Sequence, residues 1–115
     1  MTWLLSATST FLWLLVMHAL CDYALQSDDM ILMKHPRVER IESMGPWLWT
    51  MSAHAGINAG GVALVTGSWL LGALEFIVHF GSDTLKCQGR ITTYDDQAGH
   101  LLSKLVWAVG ASVSA

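Results

Sequence analysis

Residues 69–86 read WLLGALEFIVHFGSDTLK. Apolar side chains fill most of the stretch, and Glu75, His79 and Asp83 interrupt it at four-residue spacing. Residues four apart share one helix face, so this is an apolar helix carrying a single polar stripe. The same spacing recurs in the other apolar segments. His18, Asp22 and Gln26 mark residues 3–26, His54 and Asn58 mark 46–66, and Asp96, His100 and Lys104, with Gln97 alongside, mark 92–112. The first of these segments, with its polar end, is long enough to cross ~30 Å of hydrocarbon at about 1.5 Å per residue, and the fourth is the least hydrophobic of the four. The reading is an all-α fold: a four-helix transmembrane bundle forming one integral membrane domain over 1–115, with spans at about 3–26, 46–66, 69–86 and 92–112.

Composition agrees. Of 115 residues, 53% are hydrophobic and 13% charged, and the mean hydropathy is +0.45. A soluble domain carries ~25% charged residues, and a small one has little interior in which to hide so much apolar surface. The net charge of -3, without a basic run or an acidic tail, excludes an electrostatic nucleic-acid binder. Cys21 and Cys87 form no recognised metal or redox spacing. The first twenty residues lack a basic n-region and an A-x-A site, so they read as a retained helix and not as a signal peptide.

Between the first two spans, Ser27 with Asp28 and Asp29 opens a short apolar run that Pro36 stops, which predicts a short interfacial helix. His35 falls in the polar stretch that follows and reads as solvated. Ser52, Gly56 and Gly60 form a small-residue face suited to close helix packing, and Gly67–Ser68 predicts a tight turn. Lys34, Arg37 and Arg40 follow the first span, and Lys86 and Arg90 follow the third. The positive-inside rule then puts both connections in the cytosol and both termini outside a bacterial inner membrane. Tyr23, Trp47, Trp49 and Tyr94 are expected at the inner interface, and Trp3 and Trp69 at the outer one.

In this topology the four span histidines share a depth. His18, His54 and His100 each lie eight residues, and His79 seven, from the cytosolic end of its span, roughly 12 Å at the helical rise. Charged groups are costly in hydrocarbon, so they should face inward and pair. Lys104, the deepest base, is expected to pair with Glu75, the deepest acid. Imidazole nitrogen and carboxylate oxygen are the donor types of zinc sites. The candidate metal ligands are therefore His18, Asp22, His54, His79, Asp83 and His100, for a divalent metal such as zinc. Asp96, Gln97 and Lys86 form the candidate catalytic set, with Asp96 as general base. The competing reading treats the same residues as polar glue between helices.

The ordered motifs resemble a known family. HALCDYALQ is similar to the H-x-x-x-D-[FY]-x-x-Q signature that opens the domain of unknown function 3307 family of small bacterial and phage membrane proteins. The resemblance continues through Lys34, through His54, through VHFGSDTLK (an H-x-x-x-D-x-x-K pattern at His79, Asp83 and Lys86) and through DQAGH at Asp96, Gln97 and His100. It implies a membrane protein of phage or bacterial origin with a site at these residues, and it implies no reaction. Three functions fit the sequence: a metal-dependent hydrolase acting on a lipid-linked ester or amide, a proton or ion transport module, and a non-catalytic interaction protein. The expected partners are the lipid bilayer and a second copy or a host membrane protein.

Overall fold

The computed structural model describes residues 2–25 and 44–114, with the side chains of 6–25 and 47–114. Helix α1 spans Thr2–Ala19 and continues into a π-helical turn at Leu20–Ala24; α2 spans Met44–Thr66, α3 Trp69–Cys87 and α4 Thr93–Ser114. These elements follow the expected segments closely. Lys34, Arg37, Arg40, His35 and the expected interfacial helix lie outside the described residues.

Local chemistry sets the helix ends. Gly67 has φ +70, a left-handed conformation open to glycine without strain. Ser68 then caps α3, its Oγ accepting from the Leu71 amide at 3.2 Å. Helix α3 ends in a Schellman motif at Gly89 (φ +73), where the Gly89 amide donates to the Lys86 carbonyl and the Arg90 amide to the Leu85 carbonyl, both at 2.9 Å. Two residues later a capping box starts α4: the Thr92 amide donates to Asp95 Oδ2 and the Asp95 amide to Thr92 Oγ1, each at 3.1 Å. In the π-helical turn the Leu25 amide reaches back five residues to the Leu20 carbonyl at 2.8 Å. Both Cys21 and Asp22 in that turn are buried. Such turns inside helices often mark functional sites.

Helix α2 packs along α3, and α1 against α4. The interior has three layers. One end is apolar, with Leu14, Val62, Trp107 and Ala108 packed by Phe11, Val65 and Leu71. The other end holds Trp47, Met51 and Cys87 against Phe80. Between them lies a polar layer of His18, Asp22, His54, Asn58, Glu75, His79, Asp83, Asp96, His100 and Lys104, all buried. The outside is the inverse, with Leu12, Trp13, Leu64, Leu70, Ile77 and Leu102 among the large apolar side chains more than half exposed. No helix among the described residues is long and apolar enough to cross a membrane. The polar stripe on each helix lowers its mean hydropathy.

Two expectations need correction. Trp47 is 8% exposed. It stacks edge-on against Phe80 with ring centroids 6.0 Å apart, so it is a packing residue, while Tyr23, Trp49, Tyr94 and Trp69 are exposed. The close helix approach also falls elsewhere than Gly56 and Gly60, where an added Cβ meets nothing within 4 Å. It falls at Gly72, where a Cβ would lie 2.9 Å from both the Ala59 carbonyl oxygen and Ala63 Cβ. The small-residue spacing identified a glycine-rich face of α2, but contact is set by the rotation of α3 against it.

A pair of substitutions tests this packing. Gly72→Ala should destabilise the fold by about 1–3 kcal/mol through overpacking. Gly56→Ala should be neutral or stabilising by up to ~1 kcal/mol through helix propensity. Thermal or denaturant unfolding reads both, and equal losses at the two sites would contradict the packing described.

Candidate metal centre

The four polar stripes meet in the middle layer. His18 and Asp22 come from α1 and its π-helical end, His54 and Asn58 from α2, Glu75, His79 and Asp83 from α3, and Asp96, His100 and Lys104 from α4. All four histidines lie together. Ring centroids are 4.9 Å apart for His54 and His79, 5.2 Å for His18 and His100, and 4.2 Å for His79 and His100, which are stacked with 17° between planes.

Within this layer three donor atoms converge. His54 Nε2 and His79 Nε2 are 3.0 Å apart, and each is 3.3 Å from Asp22 Oδ1. Ligands of a tetrahedral zinc ion at 2.0–2.1 Å lie about 3.3–3.4 Å from one another, so the triangle has the dimensions of three zinc ligands. Asp83 Oδ2 stands beside it, also 3.3 Å from His54 Nε2. A proton on His54 Nε2 could point at only one of these three neighbours, whereas a cation among them serves all.

The surrounding residues aim the donors. Glu75 Oε1 lies 3.2 Å from His79 Nδ1. A carboxylate there assigns the ring proton to Nδ1 and leaves the Nε2 lone pair facing the triangle, as outer partners of metal-bound histidines do. Glu75 is itself held by Lys104 Nζ, which donates to Oε1 at 2.5 Å, and by Trp107 Nε1, which donates to Oε2 at 2.6 Å. The expected Lys104–Glu75 pair is therefore present. Asn58 Nδ2 donates to Asp22 Oδ1 at 3.3 Å, and Gln97 Nε2 donates to Asp22 Oδ2 at 3.4 Å. Gln97 Oε1 lies 3.1 Å from His18 Nε2.

The sequence-derived candidates thus separate into roles. His54, His79 and Asp22 form the triangle, with Asp83 adjacent. His18 faces Gln97 and supports Asp22 from outside, so its Nε2 is engaged away from the triangle. Asp96 accepts from Ser82 Oγ at 2.7 Å and lies 3.3 Å from Lys86 Nζ. Lys86 Nζ also reaches Asp83 Oδ1 at 2.8 Å, and its side chain is a quarter exposed. Of the expected catalytic set, Gln97 touches Asp22 directly, while Lys86 and Asp96 lie on the side of Asp83 away from the triangle. Ser82 and Trp107 were not singled out by sequence. Ser82 sits one residue before Asp83, and Trp107 three residues after Lys104 on the same face.

Charge balance points the same way. Four buried carboxylates, Asp22, Glu75, Asp83 and Asp96, face two ammonium groups, Lys86 and Lys104, so neutral imidazoles leave two negative charges in excess. One divalent cation cancels them. Donor groupings compact enough for a metal include His54–His79–Asp83 and Asp22–His79–His100.

Removing one partner of a buried ion pair costs about 3–5 kcal/mol, while replacing both by neutral groups costs far less. Glu75→Gln alone and Lys104→Met alone should each lower stability by amounts of that order, and the double variant should regain most of the loss. Additive losses in denaturant unfolding would show that the two side chains are not coupled.

Comparison with known families, with curated proteins and with solved structures finds no match to this chain, so the reading of the centre rests on its own geometry.

Proposed function

We propose that this chain is a small membrane-embedded metalloprotein that holds one divalent ion of the zinc class at His54, His79 and Asp22, and that it hydrolyses a lipid-linked ester or amide. The observation that carries the proposal is the triangle of His54 Nε2, His79 Nε2 and Asp22 Oδ1 at 3.0, 3.3 and 3.3 Å. Three protein ligands leave a fourth position, the arrangement of catalytic zinc. Zinc bound there would act as a Lewis acid and lower the pKa of a water in that position.

The chain's own groups complete the chemistry. Asp83 Oδ2, 3.3 Å from His54 Nε2, is the carboxylate nearest the triangle and takes the role of proton acceptor. Asp96 was the sequence's choice for that role, but its contacts run to Ser82, His100, Lys86 and Gln97. Gln97 and Asn58 hold Asp22 from two sides. Lys86 and Gln97, neither fully buried, form the rim of the polar layer next to the α3–α4 turn, and a substrate entering from that end would meet them first.

Membrane placement is supported by the inverted burial pattern. Eleven polar or charged residues are buried, as many as the apolar ones, while twenty-two large apolar residues are exposed among those described. In water such a surface has no solvent suited to it, and in lipid the polar interior is the expected place for ionisable groups. Of the residues that resemble the domain of unknown function 3307 family, the described ones (His18, Asp22, His54, His79, Asp83, Lys86, Asp96, Gln97 and His100) fall on the centre and its rim, which supports taking that resemblance as one of site.

Metal analysis of the detergent-purified chain tests the proposal. About one zinc-class ion per chain is expected, lost in His54→Ala, His79→Ala and Asp22→Asn and retained in His18→Ala. Less than one tenth of an ion per chain after gentle preparation would overturn it. For placement, the chain should stay with membranes through alkaline carbonate extraction and need detergent for release; recovery as a detergent-free soluble monomer would contradict it.

A further inference from the structure

Asp83, Asp96 and His100 also bring donor atoms within 4.8 Å of one another. This second grouping takes in Asp83, the carboxylate that stands beside the triangle. His100 is fully buried, and neither of its ring nitrogens makes a hydrogen bond among the described residues. Its Nε2 lies 3.1 Å from Asp96 Oδ1, close enough for such a bond but without the direction for one. A nitrogen and an oxygen at that separation, with no proton aimed between them, are placed as two donors to a third centre are placed.

A cation already stands against two of these three residues. Lys86 Nζ lies 2.8 Å from Asp83 Oδ1 and 3.3 Å from Asp96 Oδ2. It reaches the position from the rim, with its side chain a quarter exposed. Asp83 therefore has Oδ2 toward the His54–His79–Asp22 triangle and Oδ1 toward this ammonium. A carboxylate that spans two cations is the usual link in two-metal centres, whose ions sit about 3.5–4 Å apart.

We propose that the Lys86 ammonium occupies the second cation position of a two-cation centre, and that its removal opens that position to a divalent metal ion bound by Asp83, Asp96 and His100. Lys86 thereby keeps the protein a one-metal centre. The proposal rests on the first metal being held at His54, His79 and Asp22, and it adds a second position with its own ligands. A flexible stem lets an ammonium fill the site as a point charge without the fixed geometry an arginine would impose.

The test is the zinc stoichiometry of the full-length chain in detergent, by equilibrium dialysis and elemental analysis. Wild type is expected to bind about one ion, and Lys86→Ala and Lys86→Met about two. Lys86→Met keeps the apolar stem should Lys86→Ala fail to fold. His100→Ala in the Lys86→Met background should return the count to one, while His100→Ala alone should stay at one. If wild type and both Lys86 variants bind one ion, the second position is disproved and the first stands. If wild type binds none and Lys86→Met binds one that His100→Ala removes, the second position stands and the proposed function fails. Variants that do not fold even with zinc present would also overturn the proposal, because in it the metal supplies the charge that the ammonium supplied.

Discussion

The Glu75 carboxylate is the contact on which the middle of this bundle depends. It lies fully buried between α3 and α4 and meets donors from His79, Lys104 and Trp107. An ionised carboxylate without partners in such a place would cost several kcal/mol. With them it ties the apolar end of the bundle, through Trp107, to the polar layer, through His79. It also orients a histidine whose other nitrogen faces the donor triangle. Stability and the aim of the centre therefore hang on the same group.

That coupling explains why the polar layer is buried so completely. Each carboxylate in it has an acceptor role: Glu75 to Lys104 and Trp107, Asp22 to Asn58 and Gln97, Asp96 to Ser82, and Asp83 to Lys86. The apolar layers at either end, around Leu14 and Val62 and around Trp47 and Met51, close the layer off along the bundle axis. In a buried, low-dielectric interior the unbalanced negative charge is felt strongly. The same physics favours a bound cation and makes Lys86, at the rim, an effective neutraliser of Asp83 and Asp96.

Much of this was legible in the sequence. The four-residue spacing of His18–Asp22, Glu75–His79–Asp83 and Asp96–His100–Lys104 follows from helix geometry, and matching depths in each segment predicted that the stripes would meet. The Lys104–Glu75 pair followed from depth alone. What spacing does not carry is rotation about the helix axis and the choice of ring nitrogen. Four histidines therefore looked equivalent, whereas His54 and His79 meet Asp22 Oδ1 and each other, while His18 lies between Gln97 and Asp22 Oδ2. Trp107 was not singled out, because its indole N–H becomes informative only when Glu75 is seen within reach. Gly72, and not Gly56 or Gly60, marks the close approach because the interhelical angle decides which small residue touches. The expected spans are present as helices, but none among the described residues is long and apolar enough to cross a membrane, and the stripe that serves the interior lowers the mean hydropathy of its helix.

The most direct test of the central claim is a crystal structure of the zinc-loaded protein with anomalous scattering data at the zinc edge. The account requires an anomalous peak about 2.0–2.2 Å from His54 Nε2, His79 Nε2 and an Asp22 oxygen, with His79 Nδ1 still on Glu75. A structure of the loaded protein with no peak among these atoms, or with the His54 and His79 rings turned to separate partners, would contradict it.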